Sequence, residues 1–245
     1  MRINLKRIIN ILKYKILEKN RGGVKYLFVK GKRKADELVI IFSGFSSTNV
    51  RTYNYIKCMN KSETDRLYIL DSWGFRGSYY LYENGKKYPE EYTSNIITSF
   101  ISKGYKKVYM VGSSKGGTCA IYYGLKHHAD EIISGACQYN LGTYLSKYPE
   151  IFEAMMGKRP NSVDISNLNK ILPDILEQNV GVDTNIILLY STKEITYEAE
   201  TVDLLKKLKD CNYNINEIVF DFPEHEMIGP LFADYLSNKF CINSN

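Results

Sequence analysis

Histidine is scarce in this chain, with three among 245 residues. Any imidazole that moves a proton must therefore be His127, His128 or His225. Cysteine is also sparse. The five residues at positions 58, 119, 137, 211 and 241 are odd in number, and none forms a C-x-x-C pair. That pattern argues against a disulfide framework or a zinc site, and for reduced thiols in a cytoplasmic setting. Cys119 and Cys137 lie in apolar stretches and read as inert core residues. Long hydrophobic runs are missing: the apolar segments are of strand length, too short to span a bilayer. The basic N-terminus lacks a continuous apolar core and a small-residue cleavage site, so no signal peptide is expected. The phosphate-loop spacing G-x-x-x-x-G-K-[ST] is absent as well. No cluster with metal-ligand spacing is visible, and neither a metal nor an organic cofactor is expected.

Charge is present but unevenly placed. The chain is formally +6, yet residues 1–34 hold twelve Lys or Arg against the single acid Glu18, a net +11 that leaves −5 on the remainder. Because the basic groups gather in one short segment and the rest is acidic, nucleic-acid binding is not expected. Within residues 1–23, Leu5, Ile8, Ile9, Leu12 and Ile16 recur at helical spacing over 4–18, which predicts a basic amphipathic helix. Such a helix suits peripheral contact with an anionic membrane or an acidic protein through residues 1–20. It equally suits docking on its own domain with its charges in water.

From residue 24 to 245 the pattern is one domain of alternating strands and helices. Apolar strands are predicted at Tyr26–Val29, Leu38–Ser43, Leu67–Leu70, Lys107–Val111, Glu131–Cys137, Asn185–Tyr190 and Glu217–Phe222. Helices are predicted at Tyr88–Ser102, Thr118–Lys126, Ala199–Asp210 and Ile228–Phe240. Short apolar strands alternating with helices predict an α/β fold, a mainly parallel central sheet with helices on both faces. Residues 138–183 form the longest stretch without a strand and are the candidate lid.

The chemical signal is Gly112-x-Ser114-x-Gly116 between a predicted strand and a predicted helix. A serine there sits on a sharp turn that exposes its hydroxyl. The competing reading is an ordinary βα turn or a phosphate loop, although Lys115 precedes the paired glycines. A hydroxyl needs a base to become a nucleophile. His127 and His128 fall past the helix that follows Ser114 and are expected to be exposed. His225 follows the last strand, in Pro223-Glu224-His225-Glu226, and so would share the strand C-terminal edge with Ser114. The third member is an acid between them in chain order. Glu194, in Ser191-Thr192-Lys193-Glu194-Ile195, is the first carboxylate after the intervening strand. Glu198, Glu200 and Asp71 remain alternatives, and Glu194 could instead be a solvated partner of Lys193. Oxyanion donors are expected from the backbone N–H groups of Lys115 and of Phe45, the latter in the loop Ser43-Gly44-Phe45-Ser46-Ser47, where Gly44 lets the backbone approach a substrate. The loop from Asp71 to Tyr80 carries Trp73 and Arg76, which suit a polar, ring-shaped substrate. They suit just as well an ordered loop with Trp73 packed on the core.

The order Ser114, Glu194, His225 resembles the α/β-hydrolase superfamily over roughly residues 24–240. More narrowly, DSWGFRGSYYL from Asp71, VGSSKGGTCAIYYGL from Val111 and ACQYNLGTYL from Ala136 resemble a bacterial subfamily of accessory-secretion and capsule-polysaccharide biosynthesis proteins. The resemblance implies acyl-ester chemistry on a glycan, such as acetyl transfer or removal on an amino sugar, and a glutamate in the third triad position. The expectation is a serine esterase or acyltransferase acting on a glycan or similar polar acyl ester, with an acyl donor if the reaction is transfer. Two other classes fit the same sequence. One is a hydrolase-fold component of a glycan-assembly or export complex that has lost catalysis. The other is a lipase-like or thioesterase enzyme with Phe152, Met155 and Met156 around an acyl pocket.

Overall fold

A computed structural model describes residues 16–31, 35–45 and 51–241. Most of the predicted N-terminal helix over 4–18 lies outside the described residues, as do Ser46 and Ser47. The chain enters the sheet earlier than the residue-23 boundary suggested. Strand β1 (Lys19–Arg21) pairs antiparallel with β2 (Val24–Val29), with Arg21 opposite Val24. The Gly22-Gly23 turn between them is a two-residue hairpin connection. Three polar residues with no apolar alternation gave no strand signal.

The other strands are β3 (Glu37–Phe42), β4 (Asp65–Leu70), β5 (Lys107–Ser113), β6 (Glu131–Gly135), β7 (Asn185–Ser191) and β8 (Asn214–Phe220). The eight strands lie in the order β1-β2-β4-β3-β5-β6-β7-β8. β2 runs antiparallel to β4, and every pairing from β4 to β8 is parallel. The chain leaves β3 on one side to make β4 and returns on the other to make β5. That reversal opens a crevice beyond the C-terminal ends of β3 and β5, where open parallel sheets bind their ligands.

Alternation along each strand divides the core in two. On β3, Leu38, Ile40 and Phe42 face one cluster, while Val39 and Ile41 face the other, as a period of two requires. The first cluster is covered by helices α1 (Tyr88–Ile101), α2 (Lys115–Lys126), α6 (Ile171–Gln178) and α7 (Val202–Asp210). The second is covered by α8 (Ile228–Phe240), whose Ile228, Phe232, Leu236 and Phe240 repeat every fourth residue along one face. Burying each such side chain contributes about 1.5–3 kcal/mol. The strandless stretch holds four short helices, α3 (Leu141–Ser146), α4 (Pro149–Met156), α5 (Ser162–Asn169) and the already named α6. Pro149 opens α4, Gly157 closes it at φ +73° and the Asn161 side chain caps α5, so each helix is stopped locally. Among the described residues no helix is long and apolar enough to cross a membrane.

Candidate active site

The site is built at the end of β5. Helix α2 begins at Lys115, three residues earlier than its periodicity suggested, and Ser114 is its N-cap at φ +52°, ψ −127°. A non-glycine residue rarely holds such a conformation, and its cost marks a turn fixed from outside. The neighbouring glycines explain how the turn closes. A Cβ on Gly112 would stand 2.3 Å from the Gly116 carbonyl oxygen, and one on Gly116 would stand 2.7 Å from the Phe42 carbonyl oxygen. Both contacts are too close for any side chain, so strand, turn and helix can approach only with glycine at these two positions. The first N–H groups of α2 have no intrahelical acceptor. The Lys115 N–H is among them, beside the serine, at the positive end of the helix dipole.

His225 arrives from the other end of the chain. It opens a 3-10 turn (His225–Met227) after β8, and its Nε2 lies 2.8 Å from Ser114 Oγ. Its Nδ1 lies 2.5 Å from Glu194 Oε1. With a carboxylate at Nδ1, that nitrogen carries the proton and Nε2 is left to accept from the serine hydroxyl. The Glu194 side chain is 3% exposed and the His225 side chain 27%. Thr196 Oγ1 also donates to Glu194 Oε1, at 2.6 Å. Lys193, the alternative partner, points away and pairs with Asp221 at 2.7 Å in the open.

The other carboxylates have separate duties. Glu198 is exposed. Glu200, within the π turn Tyr197–Thr201, accepts from the Tyr139 and Asn140 N–H groups at 2.7 Å each. Burial raises its pKa. Asp71 forms an ion pair with Lys115 Nζ at 2.6 Å, with side chains 0% and 1% exposed, and accepts from Ser78 N at 2.7 Å. Nothing in the spacing of Lys115 and Asp71 announces this pair. The available signal was a lysine inside an otherwise small and apolar stretch, which has to find an acid if it is buried.

That pair fastens the predicted oxyanion loop. Lys115 Nζ stands over the rings of Phe45, at 5.5 Å, and Tyr80, at 4.8 Å. The Tyr80 hydroxyl donates to Ile69 O and accepts from Ser43 N, both at 2.8 Å. Gly44 does not offer its N–H to the crevice, because it donates to Asn54 Oδ1 at 3.0 Å. Phe45 is half-buried, edge-on to Tyr79 with ring centroids 5.4 Å apart. Trp73 is 5% exposed and packs in the first core cluster, so the Asp71–Tyr80 loop turns its largest ring inward instead of offering it for stacking. Arg76 is half-buried with φ +63°.

Two residues beside Ser114, His225 and Glu194 carry no sequence signal of their part in the site, although both lie in segments quoted above. Gln138 Nε2 lies 3.3 Å from Ser114 Oγ. Ser191, at the end of β7, donates through Oγ to Phe222 O at 2.7 Å and accepts from Phe222 N at 3.0 Å and Lys193 N at 3.1 Å. It thereby ties the loop carrying Glu194 to the loop carrying His225. Nearby, burial pushes the Cys137 thiol up to about 12, which keeps it protonated, as an inert core residue should be.

Other expectations need correcting. His127 is half-buried, not exposed: its ring stacks on Tyr123, its Nε2 lies 2.8 Å from Ser94 Oγ, and burial lowers its pKa to about 4. Phe152 and Met155 are completely buried in the core and Met156 packs against it, so these side chains fill space that an acyl pocket would have to leave open.

The eight-stranded sheet and this crevice define an α/β-hydrolase fold. Among solved structures, the chain is similar to the capsule O-acetyltransferase of Neisseria meningitidis serogroup A, with TM-score 0.78 and 23% identity over 91% of this chain and 93% of that one. It is similar to a His-to-Ala variant of that enzyme in complex with CoA, with TM-score 0.76 and 23% identity over 91% and 93%. It is also similar to a chain of the Glycosylation Associate Protein (Gap123) complex from Streptococcus agalactiae, with TM-score 0.72 and 22% identity over 89% of this chain and 45% of that one. No family model and no curated protein matches the chain. Identities of this size carry the fold, and the chemistry has to be argued from the site.

Proposed function

We propose that this protein is a serine acyltransferase or esterase that moves an acetyl-type acyl group at a hydroxyl of a glycan, with Ser114 as nucleophile, His225 as base and Glu194 behind it. The observation that carries the reading is the continuous Ser114–His225–Glu194 hydrogen-bond chain of 2.8 and 2.5 Å. The Ser114 hydroxyl gives its proton to His225 Nε2 as Oγ attacks the acyl carbonyl carbon. Glu194 holds the ring in the required tautomer and stabilises its charged form. The oxyanion falls to the N–H groups of Lys115 and Phe45. Collapse expels the donor's leaving group, which takes the proton from His225. A sugar hydroxyl or water then loses its proton to His225 and attacks the acyl-enzyme, which returns Ser114 to its starting state.

Similarity to a capsule O-acetyltransferase supports an acetyl group and a polysaccharide acceptor. The CoA complex of that enzyme supports an acyl thioester as donor. The test uses p-nitrophenyl acetate, and acetyl-CoA with and without an amino-sugar polysaccharide. Wild type should turn over the ester and acetylate the polysaccharide. Ser114→Ala should do neither, while folding normally. Full activity in that variant rejects the assignment. A fluorophosphonate adduct on Ser114 would separate the enzyme from a hydrolase-fold scaffold.

A further inference from the structure

Gln138 lies in the segment ACQYNLGTYL, which assigns it no role of its own, yet both its backbone and its side chain are held firmly beside the site. The chain leaves β6 through Ala136, at φ +40°. The Gln138 backbone is then clamped by one residue of α2: its N–H donates to Thr118 Oγ1 and Thr118 Oγ1 donates to its carbonyl, each at 2.9 Å. The next two N–H groups are taken by Glu200. The side chain is buried, as is Tyr79, whose hydroxyl lies 3.1 Å from Gln138 Oε1. Tyr79 itself sits at φ +56°, a strained position for a bulky residue.

Proton counting fixes which way the amide faces. Ser114 has one hydroxyl proton, and His225 Nε2 takes it. Oγ can then only accept on its remaining side, so Nε2–H of Gln138 faces Ser114 and the carbonyl faces the Tyr79 hydroxyl. A buried amide locked at both ends and aimed at one oxygen is expensive to build unless that oxygen needs it.

We infer that Gln138 is a catalytic residue: its Nε2–H stabilises the negative charge that develops on Ser114 Oγ when the acyl-enzyme forms and again when it breaks down. The inference rests on the triad reading above. In attack, the O–H bond of Ser114 breaks toward His225 while the Oγ–carbon bond forms. In breakdown, that carbon–oxygen bond breaks, its electron pair returns to Oγ, and His225 gives the proton back. In both steps Oγ is transiently electron-rich, and Gln138 is the donor on the side away from His225. At 3.3 Å the bond is long for a resting hydroxyl and has room to shorten as charge builds. Tyr79 is a positioning residue, because it prevents the amide from turning.

Rapid mixing with p-nitrophenyl acetate separates the two steps into a burst and a steady-state rate. Gln138→Met, similar in length and without a donor, should lower both by about 10- to 100-fold, with KM within about twofold and the melting temperature lowered by no more than in a variant that only strands the Tyr79 hydroxyl. Tyr79→Phe should lower both by about 3- to 10-fold, and the double variant should be no slower than Gln138→Met, since the two residues act through one hydrogen bond. A merely structural Gln138 would lower the melting temperature and leave the rates of the folded fraction intact. Wild-type burst and steady-state rates in Gln138→Met overturn the inference and leave the triad standing. If Gln138→Met does not fold, Tyr79→Phe carries the test, and unchanged rates in it overturn the inference. A wild type with no burst and no fluorophosphonate adduct on Ser114 defeats the triad reading, and the Gln138 inference with it.

Discussion

The loops after β3, β4 and β5 are tied to one another by buried polar contacts, whereas the loops after β7 and β8 deliver a buried Glu194 and a His225 ring that stays partly open to water. On the nucleophile side, Lys115 and Asp71 pair with side chains 1% and 0% exposed, and Ser114, Tyr79 and Tyr80 all hold positive φ. On the base side, His225 is 27% exposed in a short turn. Its edge strand β8 is nowhere fully buried, and Ile195 beside Glu194 is 89% exposed. Strain and buried charge persist only where the surroundings over-determine them. The half around Ser114 is therefore part of the protein's stability, and on the proposed function the half around His225 is chiefly part of its chemistry.

That contrast can be broken by mutation. The largest effect should come from His225→Ala, which should lower kcat on p-nitrophenyl acetate by ~10⁴-fold or more. Its melting temperature should fall by less than that of Asp71→Asn, because the His225 side chain keeps 27% of its surface exposed whereas Asp71 and Lys115 are sealed from water. A large drop in melting temperature would erase the difference between the halves. Asp71→Asn should act the other way, costing about 3–5 kcal/mol in denaturant unfolding because it strands a buried ammonium. The double replacement Asp71→Leu with Lys115→Met should recover much of that loss, since no charge is then left unpaired. Equal instability in the single and double variants would show that packing matters there more than charge.

A third test asks which histidine makes stability depend on pH. His127 titrates near 4 in the fold, below its ordinary 6.5. The unfolded chain therefore takes up the proton first. The stabilisation is complete above about pH 6.5 and is lost as pH falls from there toward 4. Over that window His127→Gln should flatten the fall in stability by roughly 2 kcal/mol, allowing for its partial exposure. An unchanged slope would move the proton uptake elsewhere. A smaller effect is expected from Ser191→Ala, about 1–2 kcal/mol, together with a fall in kcat, because it unties the Glu194 and His225 loops. The smallest is Lys193→Ala, whose exposed pair with Asp221 should contribute under about 0.5 kcal/mol.

The strands flanking the site were legible because burial on both faces leaves an apolar run. β3, β5 and β7 were placed to within two residues on that signal, and the eight-stranded sheet follows the expected parallel architecture. The sequence pattern starts the helix after Ser114 at Thr118, beyond Gly116 and Gly117, which are poor helix formers. The helix starts at Lys115 because close packing at the elbow outweighs that preference. β8 was placed three residues late: its first half, Asn214-Ile215-Asn216, is mostly polar, as an edge strand can be, and the Phe222 N–H bonds to Ser191 Oγ.

Local pattern by itself determined the strand and helix alternation, the edge of the sheet where a site would form, and the candidates Ser114 and His225. Periodicity and turn chemistry act over a few residues and are written in adjacent letters. Only the tertiary structure decided that Glu194, not Glu198, Glu200 or Asp71, stands against the His225 ring, that Trp73 faces inward, and that Lys115 and Gln138 flank the serine. Those outcomes join residues 24 to 61 positions apart in sequence, and a hydrogen bond fails if the backbone beneath it shifts by an ångström.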